Sequence, residues 1–271
     1  MIVAVAFAAG AAFALVGLPI AVRLLDHPPH VRQNFRGREL IGTGGVVLGK
    51  ALAGVWLVSL VSDEAGRIAL AMMLAGLGMC VLGYVDDVYG DRRAGGLIGH
   101  ARALLRGTFT TGMLKAAGGV LTGLTAAWVV GWRDAWVIAA GAVIALASNL
   151  ANLFDLRPGR VIKLWVPLAV WLGLAMRLEA PRAVLAGLGG AVCVFVVWEL
   201  GERVMLGDTG AGLLGAVLGV GAVAVLDRTG VVVSAVVLLA LTLLSEAVSF
   251  TRLIEAVGPL RWLDHVGRRP G

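Results

Sequence analysis

Asp86 and Asp87 stand side by side where an apolar stretch ends in Gly83-Tyr84-Val85-Asp86-Asp87. Adjacent carboxylates repel, and they persist together when solvated, sharing a proton or neutralised by a cation; hard oxygen ligands of this kind suit Mg²⁺. A solvated helix end accounts for such a pair equally well. Asp208 opens another apolar stretch in Met205-Leu206-Gly207-Asp208-Thr209-Gly210, where an acid and a hydroxyl are, taken alone, best read as a helix N-cap. Asn149, Asn152 and Asp155 recur every third residue at the end of a further stretch. At about 100° per residue they share one broad helical face, which must meet protein or a water-filled cleft; an interhelical hydrogen-bonding stripe is the alternative. Directly after it, Arg157-Pro158-Gly159-Arg160 and Lys163 form a basic turn. Guanidinium groups bind phosphate oxygens bidentately, although positive charge also anchors membrane loops. Lys115 lies about one turn inside its own apolar stretch, close enough to snorkel or to offer an ammonium to phosphate. Carboxylates, a lysine and arginines are the equipment of metal-assisted phosphoryl transfer, which asks a protein for positioning and charge compensation.

Other polar residues carry less. Lys50 lies deep in an apolar stretch and reads as snorkelling or packing. His27 and His30 are separated by Pro28-Pro29 and read as loop residues, while His100 and His265 lack a ligand set. Cys80 and Cys193 both fall in apolar stretches and read as small buried hydrophobes.

The elements that must position these residues are membrane helices. Of 271 residues, 59% are hydrophobic and 15% charged, against about 25% charged in an ordinary soluble domain, and mean hydropathy is +0.91. The net charge of +6 is spread over short loops rather than one soluble face, which points to lipid headgroups and phosphates rather than nucleic acid. A spanning helix needs about 20 apolar residues, and the sequence predicts an all-α polytopic bundle of nine: Ile2 to Val22, Gly44 to Val61, Ile68 to Val85, Gly112 to Gly131, Ala135 to Phe154, a short sixth from Val161 to Met176, Ala183 to Leu200, Gly210 to Leu226 and Val231 to Phe250. The first is expected to remain rather than be cleaved, because it lacks a basic leader, and the tail from Thr251 is expected not to span.

Sixteen loop Lys and Arg residues fall on one side of this arrangement and five on the other. The richer side is therefore cytoplasmic, the N-terminus outside and the C-terminus inside. Trp132 and Trp136 are expected at the outer interface, Trp165 and Trp198 near the inner one. The chain reads as one transmembrane domain whose working loops, 23–43, 86–111, 155–163, 201–209 and 251–271, share the cytoplasmic face. Asp86, Asp87, Asp155 and Asp208 all stand at inner helix ends. Glycine runs such as Gly118-Gly119 and Gly189-Gly190 favour close helix packing and permit a homodimer.

At these residues the sequence resembles the polyprenyl-phosphate N-acetylhexosamine-1-phosphate transferase superfamily, which includes the phospho-N-acetylmuramoyl-pentapeptide transferases. The resemblance rests on Asp26, Pro28 and Gly44-Gly45, then Asp86-Asp87, Lys115, the run Asn149 to Asp155, and Gly207-Asp208-Thr209-Gly210. It implies transfer of a sugar-1-phosphate from a UDP-sugar to polyprenyl (undecaprenyl) phosphate for cell-envelope synthesis, with Mg²⁺ as cofactor. It further implies that Asp208 is the principal metal ligand, that Asp86 and Asp87 organise metal and lipid phosphate, and that Asp155 with Asn152 serves the donor site, while Asn149 binds substrate and Lys115 steadies phosphate charge. The chain departs from that pattern where Asp155 is followed by Leu156-Arg157-Pro158-Gly159 instead of Gly-x-Asp-Gly. It also lacks the family's histidine-rich loop and final span. Arg157, Arg160 and the arginines of the tail then stand in for the donor contacts; the alternatives are a non-catalytic polyprenyl-phosphate-binding relative that recruits or regulates envelope enzymes, and a transporter. Transport fits least, because transporters bind near the membrane midplane.

Overall fold

The protein is described from a computed structural model covering residues 1–60, 66–90, 105, 107–108 and 110–269. Those residues form eleven helices and one short hairpin. In chain order the helices are α1 (Ile2–Leu25), α2 (Val46–Ser59), α3 (Gly66–Tyr89), α4 (Thr111–Val130), α5 (Trp136–Phe154), α6 (Arg160–Ala175), α7 (Glu179–Leu200), α8 (Gly207–Val225), α9 (Arg228–Ala247), α10 (Phe250–Ala256) and α11 (Gly258–His265). The hairpin, β1 (Val31–Gln33) with β2 (Glu39–Ile41), is antiparallel and pairs Val31 with Ile41.

Seven of these helices, α1, α3, α4, α5, α7, α8 and α9, are long and apolar enough to cross a membrane. The architecture is that of an all-α membrane protein. The second and sixth expected spans form shorter helices, α2 with 14 residues and α6 with 16. Two boundaries move in a way that matters. Polar residues continue α3 to Tyr89, so Asp86 and Asp87 occupy its last turn instead of the loop beyond it. Likewise α8 begins at Gly207, with Asp208 inside its first turn.

Most of α8 is buried, packed on α3 and α5, while α1 packs on α7 and α2. Small residues allow this closeness. A Cβ on Gly10 of α1 would stand 1.8 Å from the carbonyl oxygen of Gly187 on α7, so the two backbones touch where only hydrogen fits. Indoles tie their segments to α8: buried Trp165 of α6 donates to the Leu214 carbonyl at 3.1 Å, and half-buried Trp132, in the turn between α4 and α5, donates to that of Val223 at 3.0 Å. Trp165 is thus a core residue, not a belt residue, because α6 turns it onto α8. Cys80 is buried, but Cys193 is exposed, on the face of α7 that also exposes Val197 one turn later.

The hairpin and the tail had no predicted structure. Glu202, buried, holds the hairpin through Arg36 (3.3 Å), Arg38 (3.5 Å) and the Asn34 amide (3.2 Å). Ile41 also bridges to Val204, and its carbonyl accepts from the Met205 amide at 2.8 Å. The tail does not span, as expected, and folds back as α10 and α11. Its anchor is Asp264, which accepts from Arg160 Nε and Nη2 at 2.8 and 2.9 Å and pairs with Arg268.

Candidate active site

Five helix ends, the hairpin and the tail surround a cavity of about 850 Å³. Asp86 and Asp87 enter it from α3, Thr111 from α4, Asp155 and Arg157 from the turn after α5, Glu199 from the end of α7, and Asp208 from α8. Arg32, Asn34 and Phe35 of the hairpin face it, as do Ser249, Thr251 and Arg252 of the tail.

The centre is a lysine among acids. Lys115 Nζ lies 2.5 Å from Asp208 Oδ2 and 3.6 Å from Asp86 Oδ2, while Asp86 Oδ1 accepts from the Thr111 hydroxyl at 2.6 Å. Asp87 points instead at the start of α8, accepting from the amides of Asp208 (3.1 Å) and Thr209 (2.9 Å) and from the Thr209 hydroxyl (2.6 Å). Free amides at a helix N-terminus, with the positive end of its dipole, favour such a carboxylate. Arg32 completes the corner, its guanidinium donating to the Asp87 carbonyl.

Two glycines make the convergence possible. A Cβ on Gly83 would lie 2.2 Å from the Asp208 carbonyl oxygen, so α3 and α8 meet backbone to backbone one turn before the acids. Gly207 has φ +67, and a Cβ there would strike the Gly42 carbonyl at 2.0 Å. It is the residue that allows the chain to turn sharply into α8 beneath the first loop.

Asp155 sits behind this centre. Burial, then the negative charges of Glu199, Asp208 and Asp87, hold its carboxyl well above the usual carboxylate range, with the neighbouring Gly207 amide opposing the shift. Glu199 is 3% exposed, and its Oε2 has no hydrogen-bond partner among the described residues. The acids therefore form one electrostatic group. Its charge is partly met by Lys115, with Arg32, Arg157 and Arg252 around the cavity wall.

Of the residues singled out from the sequence, Asp86, Asp87, Asp155, Arg157 and Asp208 line the cavity, and Lys115 bridges two of them. Arg157 also stacks its guanidinium over Phe35, 4.5 Å from the ring centroid. Three stand elsewhere. Arg160 is 3% exposed and committed to Asp264, with its Nη1 donating to Thr251 at 3.0 Å. Asn149 is exposed on α5 outside the cavity lining. Asn152 buries its amide without a hydrogen-bond partner among the described residues, close to Gly212 on α8. His100 and most of the 86–111 loop lie outside the described residues.

Glu199, Arg32, Phe35 and Thr111 were not singled out, whereas Arg252, which lines the cavity, is one of the tail arginines expected to face a donor. Glu199 did carry a signal, since an ionisable residue near the end of an apolar span is a functional candidate by default. Arg32 and Phe35 have no sequence signature, because the fold of the hairpin brings them to the cavity, and Thr111 is placed there by the start of α4.

A divalent cation fits the donor set. Mg²⁺ is commonly bound by one or two carboxylates, completed by water and substrate phosphates, and Asp86 and Asp208 already direct oxygens at one cationic group. A second cluster, Glu255, Asp264 and His265, brings three ligand atoms within 4.8 Å of one another. It is a poor metal site, because Asp264 is held by two guanidiniums.

No protein-family model and no curated protein sequence matches this chain. The functional reading therefore rests on its own residues.

Proposed function

We propose that the protein transfers a sugar-1-phosphate from a nucleotide sugar, UDP-linked, to polyprenyl phosphate at the cytoplasmic face of the cell membrane, with Mg²⁺ as cofactor, in cell-envelope glycan synthesis. The observation that carries this reading is the ammonium of Lys115 held between Asp86 and Asp208 at a cavity also walled by Arg32, Arg157 and Arg252. That pattern of fixed negative and positive charge suits a diphosphate and its counter-cation. In the reaction a lipid-phosphate oxygen attacks the sugar-proximal phosphorus, and the bond to the nucleoside monophosphate breaks. Asp208 and Asp86, whose carboxylate oxygens converge on Lys115, would hold Mg²⁺, which would supply charge compensation for the diphosphate. Lys115 compensates the same phosphates, Asp87 fixes the Asp208 backbone, and Arg157 with Asp155 faces the donor.

The topology that accompanies this reading is nine spans, α2 and α6 included, with the N-terminus outside and the cavity cytoplasmic. The basic loop residues support it. A homodimer through glycine-rich faces is compatible with it.

A second reading, a non-catalytic polyprenyl-phosphate binder that recruits or regulates envelope enzymes, is favoured by one observation: Arg160 is turned into the tail anchor and away from the cavity. The two separate in one assay. Purified protein with polyprenyl phosphate, Mg²⁺ and UDP-N-acetylglucosamine or UDP-N-acetylmuramoyl-pentapeptide is expected to release UMP, and Asp208→Asn to abolish the release. If a broad nucleotide-sugar panel yields none while polyprenyl phosphate still binds, the second reading replaces the first.

A further inference from the structure

The outward face of α9 is apolar, with Val233, Val236 and Leu243 exposed, as suits a helix bordering lipid. The chain does not leave that environment when α9 ends. Leu253, Val257, Leu260, Trp262 (70% exposed) and Leu263 continue an exposed apolar face along α10 and α11. Hydrocarbon cannot hold this stretch, because it also carries Arg252, Glu255, Arg261 and Asp264. Bulk water is equally unsuitable for a contiguous apolar face. The remaining environment is the plane between headgroups and acyl chains, where short amphipathic helices with a basic polar side reside.

The other side of the segment is fastened to the protein. Asp264 is buried between Arg160 and Arg268, and Lys163 donates to the Asp264 carbonyl at 2.8 Å. Arg36 reaches the Arg269 carbonyl at 2.7 Å. The outward charge is lopsided. Arg261 and Arg269 are exposed and form no ion pair among the described residues, whereas Glu255 has His265 3.1 Å away. Exposed guanidiniums beside an apolar face complement acidic headgroups, with each basic residue adding to the attraction.

We propose that the segment 249–269 is an interfacial anchor that docks on an anionic lipid leaflet, its apolar face at the acyl boundary and Arg261 and Arg269 on the acidic headgroups. Because the same segment supplies Ser249, Thr251 and Arg252 to the cavity wall, the leaflet becomes part of what seats that wall.

The test needs no catalysis. Full-length protein carrying Cys193→Ala and Leu263→Cys is spin-labelled and placed in nanodiscs of phosphatidylglycerol or phosphatidylcholine; Leu260→Cys gives an independent reading should the first variant misfold. In phosphatidylglycerol the nitroxide is expected to be accessible to oxygen and shielded from a water-soluble nickel chelate. Nickel accessibility is expected to rise several-fold in phosphatidylcholine, and likewise in phosphatidylglycerol for Arg261→Gln/Arg269→Gln. Three outcomes overturn the proposal: a label open to water in both lipids, a label equally lipid-buried in both, or a label shielded from both reagents, which would mean that protein covers this face.

Discussion

Asp87 of α3 caps the helix that carries Asp208: its carboxylate accepts from the Thr209 amide and hydroxyl at 2.9 and 2.6 Å and from the Asp208 amide at 3.1 Å. One member of the acidic pair thus positions another acid, while its neighbour Asp86 faces Lys115. The pair has divided labour, because successive residues on a helix point about 100° apart.

Removing that cap is expected to lower stability and activity together. Asp87→Ala leaves the first turn of α8 without its acceptor and should reduce unfolding free energy by about 1–2 kcal/mol. Asp87→Asn keeps one acceptor and should lose less. Thermal unfolding of the detergent-solubilised variants measures both. Equal melting temperatures for wild type and Asp87→Ala would refute the capping role.

Gly83→Ala should be among the most damaging single-methyl changes. The new Cβ meets the Asp208 carbonyl oxygen at 2.2 Å and the Thr209 nitrogen at 2.7 Å; both are backbone, so α3 and α8 must part. Overpacking of this kind costs about 1–3 kcal/mol, and the separation also pulls Asp87 off its amides. Gly189→Ala, with nothing within 4 Å of its new methyl, is the control expected to retain wild-type melting and UMP release.

Asp155→Asn is expected to stabilise the metal-free protein while impairing transfer. The folded environment holds the Asp155 carboxyl well above its usual range, through burial and the charges of Glu199, Asp208 and Asp87, so the ionised form opposes folding. Stability from this group therefore rises as pH falls from the raised folded value towards the unfolded value of about 4. Asn supplies the neutral form at every pH. Melting curves at pH 5 and pH 8, taken in chelator, should show the variant's advantage at pH 8 and little at pH 5; an advantage of the same size at both would contradict the electrostatic account.

The tail anchor has the opposite sign. Burial alone would raise Asp264, but hydrogen bonds and charge from Arg160 and Arg268 outweigh it and hold the carboxyl below its usual range. Its contribution is complete above the unfolded value of about 4 and disappears as pH falls through the lower folded value. A nitroxide at Leu263→Cys should stay ordered from pH 7 to about 4 and gain mobility below that. Asp264→Asn, which leaves a buried guanidinium without its counter-charge, should weaken docking by about 3–5 kcal/mol and show a mobile label even at pH 7.

The membrane character and helical class were readable from composition and apolar run length, since both depend on local chemistry. So were Asp86, Asp87, Asp155 and Asp208, because carboxylates at the ends of apolar runs stand out against their surroundings. The partner of Arg160 was not readable: Asp264 is 104 residues away, and no local pattern distinguishes an arginine awaiting phosphate from one awaiting a distant acid. The hairpin was hidden for a similar reason, since three-residue strands carry too little periodicity to register, and Glu202, which holds them in place, is remote in sequence. Asn149, Asn152 and Asp155 share a broad face, but that face spans three surroundings: the helix exterior, the α8 contact and the cavity.

α2 has consequences for the bilayer itself. At 14 residues and about 1.5 Å per residue it is roughly 21 Å long, short of a hydrocarbon core about 30 Å thick. Its neighbours α1 and α3, each of 24 residues, have length to spare. If α2 is one of the proposed nine spans, lipid bordering it would have to thin to meet it, and α2 follows directly from the loop whose Gly42 carbonyl approaches Gly207. A headgroup drawn down into that depression would arrive close to Asp208 without leaving its own leaflet.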